Sequence, residues 1–173
     1  MAVTRLLLVD DAEELATVVG ENRDFLAPWE PLRSEAYFTV SGQRANLERD
    51  LDAYARGTMV PLAIVGTDGR LAGRLSINSI IRGAFQSAAL GYWVSESHNG
   101  RGLATAAVAE AIDLAFQRLD LHRLQAETLL HNTGSQRVLT RNDFHPFAIA
   151  PAYLRIAGQW QDHVLYHRFN PSQ

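Results

Sequence analysis

The chain has 173 residues, of which 47% are hydrophobic and 20% charged, with a formal net charge of -3. This suffices for one globular domain over residues 1–173 with a sizeable core; the mild acidity gives no global pull toward nucleic acid and tolerates an amine-bearing partner. The absence of cysteine excludes disulfides, thiolate metal sites and a cysteine acyl-enzyme, and fits a reducing, cytoplasmic setting.

The N-terminal apolar run, Leu6 to Val9, is too short for a signal peptide or a membrane span, and Asp10 and Asp11 follow it directly. Thr4 to Val9 reads as a strand. Asp11 is placed to cap a helix, with Glu14 as its capping-box partner. Leu15, Val18, Val19, Asn22 and Leu26 continue at helical spacing until Ala27-Pro28-Trp29-Glu30-Pro31, where proline disfavours helical geometry before it. A second helix spans about Gln43 to Arg56, its apolar stripe Leu47, Leu51 and Tyr54 lying opposite Arg44, Glu48 and Asp52.

Strand signals come next. Met59 to Val65 and Leu71 to Ile81 flank the Thr67-Asp68-Gly69-Arg70 turn, with Asp-Gly at its centre, and Ala88 to Val94 is a third apolar run. After Gly100-Arg101-Gly102, a helix runs from Leu103 to Leu119. It is apolar nearly all round except at Glu110, Asp113 and Gln117, and so is expected to be buried over most of its surface. Arg123 to Leu130 is a strand, Asn132 caps a helix through Arg141, and Phe144 to Ile156 and Trp160 to Phe169 are two strands around Ala157-Gly158. The order predicts a mixed α/β sheet rather than a doubly wound parallel one.

The segment Asn99-Gly100-Arg101-Gly102-Leu103-Ala104-Thr105 lies where a strand gives way to a helix. Helix N-termini present unpaired N–H groups and partial positive charge, and so bind phosphate. Glycine permits close backbone approach and positive φ, and Arg101 can add a charge-assisted bond. A bare strand-to-helix turn explains the glycines equally well. The segment is neither a Walker loop nor a dinucleotide fingerprint.

Gly91-Tyr92-Trp93-Val94 followed by Asn99-Gly100-Arg101-Gly102-Leu103-Ala104 resembles the acetyl-CoA signature of the GNAT acyl-CoA N-acyltransferases, with Asn99 at the usual Gln/Arg position. Asn132-Thr133-Gly134-Ser135 and Asp143-Phe144 resemble a second family element, Asp143 standing where glycine is usual. Ala27 to Pro31 and Tyr153 to His163 resemble the ribosomal-protein alanine N-acetyltransferase branch. The likeness covers nearly the whole chain. It implies about seven strands and four helices, with the sheet splayed at the cofactor site.

The resemblance also implies roles. Acetyl-CoA would sit on Asn99 to Thr105 and Asn132, with the backbone of Trp93 and Val94 along pantetheine and at the acetyl carbonyl. Amine acetylation needs a neutral amine, a stabilised oxyanion and a donor for the departing thiolate. Glu127, on the polar face with Arg123 and Gln125, is the candidate base acting through water, or simply solvated surface. The tyrosine acid of many relatives falls at Leu139 and is missing, and Ser135 is the substitute donor to sulfur. The acid sometimes found before the Tyr-Leu pair is Ala152 here. Asn132 serves the cofactor, the helix cap, or both.

Trp29 and Glu30 are the implied acceptor contacts, or Trp29 only packs a helix end. The six histidines do not make a metal site. His98 is placed near phosphate, and His131 is a minor base candidate. The leading expectation is acetyl transfer to a protein or peptide N-terminus. Transfer to a small amine such as an antibiotic or polyamine, and a non-catalytic acyl-CoA-binding module, are the alternatives. No metal, direct nucleic-acid contact or membrane contact is expected; oligomerisation is left open.

Overall fold

The computed structural model describes residues 2–173. The first strand, β1 (Thr4–Leu6), leads through a 3-10 turn at Val9–Asp11 into α1 (Ala12–Glu21), the one-turn α2 (Arg23–Leu26) and α3 (Val40–Ala55). An antiparallel meander follows: β2 (Val60–Val65), β3 (Leu71–Ile81) and β4 (Ser87–Val94). Then come α4 (Leu103–Asp113), β5 (Arg123–Leu129), α5 (Thr133–Arg141), β6 (His145–Ile156) and β7 (Gln159–Phe169). The strands form one mixed sheet, as the order of elements along the chain predicts, and their spatial order is β1-β2-β3-β4-β5-β7-β6.

Two buried clusters hold the layers. On one face α4 packs Ala107, Val108, Ala111 and Ile112 against Leu62, Leu75, Leu90 and Leu124, with Leu139 and Phe144 closing the cluster from the α5 side. On the other face Leu15 and Val19 of α1 and Leu47 of α3 cover Ala63 and Leu71. The parallel pair β4 and β5 requires a crossover connection, and α4 supplies it.

Several local expectations are corrected. The first strand ends at Leu6, because Val9 to Asp11 wind into the 3-10 turn. Asp11 does not cap α1 with its side chain; its carboxylate accepts two bonds from Arg5 and one from the Leu8 N–H. Glu14 accepts from the Leu71 N–H, bracing β3 instead of completing a capping box. In α3 the inward face is Gln43 and Leu47, and Tyr54 is 43% exposed. The helix after Gly102 ends at Asp113 and continues as a π-helical turn, Leu114–Arg118. Ala106 and Ala109 are exposed on it, so its outer face is wider than the apolar composition suggested. Glu110, on the polar line of this helix, accepts from the Val3 and Thr4 N–H groups.

Two buried asparagines tie these layers to the loops that form the site. Asn22, at the α1–α2 break, donates to the Val18 carbonyl and accepts from the Glu96 N–H just ahead of the glycine loop. Asn142, past α5, donates to the Val138 and Thr105 carbonyls, joining the end of α5 to the start of α4. Next to it Asp143 takes φ 56°, the left-handed geometry that aspartate tolerates better than most residues. Removing a buried amide strands its partners. Asn22→Ala and Asn142→Ala are each expected to lower unfolding free energy by about 1–3 kcal/mol, measured by urea denaturation at constant m-value.

Candidate functional site

β4 and β5 pair only from Ser87 opposite Arg123 to Leu90 opposite Ala126. Beyond that point β4 stays with β3 and β5 stays with β7. The edges of Gly91–Val94 and Glu127–Leu129 that face each other therefore have no strand partner. Because the two strands run parallel, both point their C-terminal ends into the opening. There the chain turns into α4 and α5, whose N-termini flank the gap with partial positive charge.

A cleft of about 500 Å³ lies on the helical side of the gap, lined by the glycine loop, Trp93, Val94 and the start of α5. Gly102 is the N-cap of α4 at φ 78°, and Gly100 has φ 73°. No atom lies within 4 Å of where a Cβ would stand on either, so the backbone is open to an approaching anion. Asn99, Leu103, Ala104 and Thr105 line the cleft as expected. Arg101 is exposed and does not line it, whereas Arg137 and Arg141 of α5 do. These two cations escaped the sequence reading because nothing along the chain shows that α5 faces α4 across the opening.

Asn132 caps α5 through its Oδ1, which accepts from the Ser135 N–H at 3.0 Å. Its side-chain amide nitrogen has no hydrogen-bond partner among the described residues and is available to a ligand. His98 also lines the cleft, with Nδ1 2.8 Å from Ser95 Oγ.

A second cavity, of about 420 Å³, opens on the other side of the gap. Leu26, Trp29, Tyr92, Trp93, Asn132 and Ser135 border both spaces. Trp29 is 37% exposed, and its ring centroid lies 5.5 Å from that of His131. Glu30 lines the second cavity, but its carboxylate is held by Arg33 at 3.0 Å. The Glu30 carbonyl accepts from the Ala157 N–H, which docks the Trp29 loop on the β6–β7 turn. Arg74 and Asp50 form another ion pair in the wall. Thr128 Oγ1 is buried there without a partner among the described residues.

Glu127 faces this second cavity. Strand alternation holds: Leu124, Ala126 and Thr128 are buried, while Arg123, Gln125 and Glu127 are half-buried. The Glu127 carboxylate forms no salt bridge among the described residues, and burial pushes its pKa up from the ordinary carboxylate value. A desolvated, unpaired carboxylate is a stronger proton acceptor than a solvated one.

Leu139 is fully buried in the core and takes no part in the site. Ser135 does, with Oγ 2.8 Å from the hydroxyl of Tyr92, and burial pushes that phenol up to about 12. Tyr92, which lines both cavities, is the side chain that the sequence reading did not single out; its motif was valued for backbone groups. Among the described residues no three His, Asp or Glu side chains group closely enough to hold a metal ion, and no helix is long and apolar enough to cross a membrane.

A family model described as an acetyltransferase (GNAT) domain matches residues 4–145. The chain is 39% identical over 168 residues to a probable N-acetyltransferase, YjcK, of Bacillus subtilis, covering 96% of this chain and 93% of that one. It is 35% identical over 164 residues to the ribosomal protein uS5 alanine N-acetyltransferase of Escherichia coli, covering 94% and 84%. The structure of Mycobacterium smegmatis RimJ in complex with CoA-disulfide superposes with a TM-score of 0.93 at 31% identity, covering 98% and 82%.

Glu127 also makes a stability prediction. A carboxyl whose folded pKa is raised by burial destabilises the fold when ionised. That penalty is complete above the folded pKa and vanishes below the unfolded value, near 4.5. Glu127→Gln is therefore expected to melt at a higher temperature than the parent at neutral pH. The gap should close as pH falls toward about 4, as followed by thermal unfolding across a pH series.

Proposed function

The chain belongs to the GNAT acetyltransferase family and is an N-acetyltransferase, and from that premise we propose that it transfers the acetyl group of acetyl-CoA to the α-amine of a protein N-terminus. The observation that carries this reading is the meeting of two cavities at the β4–β5 split. One has the helix N-termini and cations that suit phosphates. The other has a carboxylate that suits an amine. The names of the ribosomal-protein relatives support a protein acceptor.

Acetyl-CoA supplies an activated acetyl thioester. The glycine loop and the start of α5 hold its pyrophosphate, with Arg137 and Arg141 beside it. The free edge of β4 offers the Val94 backbone N–H to the developing oxyanion, while the Trp93 N–H lies on the side bonded to β3. Asn132 donates from its free amide nitrogen. On the opposite side Trp29 and the neighbouring loop guide the acceptor, and Glu127 takes the amine proton directly or through water. An α-amine, with a pKa of about 7.7–8.0, is partly neutral at pH 7, whereas lysine at about 10.4 is not; a modest base then suffices.

The cofactor placement is tested with two glycines that carry the same backbone strain. Gly102 and Gly69 have φ of 78° and 80°, with open space at both, but only Gly102 lines the cleft. Acetyl-CoA at about 100 times its dissociation constant should stabilise the parent by about 2.7 kcal/mol. Gly69→Val should keep that shift and Gly102→Val should lose it. Equal shifts in both variants would contradict the placement.

The acceptor is tested by steady-state kinetics on an alanine-starting peptide, the same peptide with a blocked N-terminus and a free lysine, and a small aminoglycoside. The free α-amine should be the preferred acceptor, and Trp29→Ala should raise its KM roughly tenfold without changing acetyl-CoA binding. Glu127→Gln should lower kcat by about 10²–10⁴. Preference for the blocked peptide or the aminoglycoside would overturn the reading.

A further inference from the structure

The Tyr92–Ser135 pair spans the gap from β4 to α5, with the two hydroxyl oxygens 2.8 Å apart, and both residues border the two cavities. Tyr92 and Ser135 are both half-buried. The Tyr92 hydroxyl has a second acceptor within reach, the Ser135 carbonyl at 3.3 Å, but Ser135 Oγ is the nearer of the two. The Ser135 N–H is already committed to Asn132 Oδ1, so the backbone of the residue is fixed and only its hydroxyl rotor is free.

From this geometry we infer that Tyr92 is a positioning residue for the leaving sulfur: it donates its phenolic hydrogen to Ser135 Oγ and thereby turns the Ser135 hydroxyl hydrogen toward the thiolate released from acetyl-CoA. The inference rests on the proposed acetyl transfer but not on the choice of amine. A serine hydroxyl alone can donate in any of three staggered directions. Once Oγ accepts from Tyr92, the serine hydrogen must point elsewhere, and the gap is the open direction. The arrangement places a phenol at the departing group from β4, while Leu139 on α5 is locked in the core.

The electron and proton accounting decides between a hydrogen bond and a proton transfer. The amine nitrogen bonds to the acetyl carbon, the C–S bond breaks, and its electron pair leaves on sulfur. The surplus amine proton goes to Glu127 or water. An alkyl thiol such as that of cysteine has a pKa of about 8.5, whereas Tyr92 keeps its proton up to about 12. The thiolate therefore does not deprotonate Tyr92 through Ser135. The pair stabilises it by hydrogen bonding, and its proton arrives from solvent.

The test is a double-mutant cycle of Tyr92→Phe, Ser135→Ala and the double variant. It is read in acetyl transfer to the alanine-starting peptide and in the slow hydrolysis of acetyl-CoA without acceptor. Each single variant should lower kcat about tenfold, in the range expected for one hydrogen bond to a charged group. The double variant should fall no further than Ser135→Ala. Acetyl-CoA affinity, acceptor KM and melting temperature should stay within about twofold or a few degrees of the parent. A merely structural role for Tyr92 would move stability and KM together with kcat.

Unchanged kcat in Tyr92→Phe, or losses that multiply in the double variant, would overturn the inference. If Tyr92→Phe folds poorly, Ser135→Ala alone decides: full kcat there removes the donor on which the role depends. Failure of the peptide as acceptor would count against the proposed acceptor only, because the hydrolysis arm still reads the pair.

Discussion

The whole arrangement depends on an interrupted ladder. Two parallel strands begin as partners at Ser87 and Arg123 and separate after Leu90 and Ala126. Backbone N–H and C=O groups are obligatory hydrogen-bonding groups, and leaving them without partners is unfavourable. The sheet tolerates the split because each strand keeps its outer neighbour, β3 for β4 and β7 for β5. What remains is a strand edge inside the molecule, able to bond a ligand that enters as a strand would. The parallel direction also brings the starts of α4 and α5 to the mouth of the opening, so helix ends suited to phosphate lie beside a strand edge suited to an extended ligand.

The surroundings keep this opening rigid. The α4 cluster and the α1–α3 cluster clamp opposite faces of the sheet, and the two buried asparagines fasten the ligand loops to helix ends. The Trp29 loop is fixed differently, through the Glu30 carbonyl and the Glu30–Arg33 pair. Against this well-bonded background stand two groups without partners among the described residues: the Glu127 carboxylate, which faces the second cavity, and the Thr128 hydroxyl, which is buried in its wall. Of the two, the half-buried Glu127 carboxylate is the one that a ligand can reach.

Much of the fold was legible because its signals are local. The Asp68-Gly69 hairpin, the Asn132 cap and the alternation of β5 each need only a few neighbouring residues, and each is where the sequence placed it. The misses share a physical cause. Asp11 and Glu14 looked like a capping pair, but Arg5 and the Leu71 N–H compete for their carboxylates from other strands. Tyr54 fits a helical stripe, yet it is 43% exposed. At the site, the glycine loop, Asn132, Ser135 and Trp29 carried recognisable patterns. Arg137, Arg141 and Tyr92 did not, since their relevance comes from two helices and a strand meeting across a gap that no short stretch of sequence encodes.

The central claim is that donor and acceptor meet in one ternary arrangement at the β4–β5 split. The most direct measurement is the binding of a conjugate in which the thiol sulfur of CoA is joined through an S–CH2–CO link to the α-amine of an alanine-starting peptide, by calorimetry with competition from each half. Simultaneous occupation of both cavities predicts a dissociation constant orders of magnitude below that of CoA alone, because the second contact becomes intramolecular. It also predicts displacement by either acetyl-CoA or free peptide. A conjugate that binds no more tightly than CoA, and that peptide does not displace, would contradict the account.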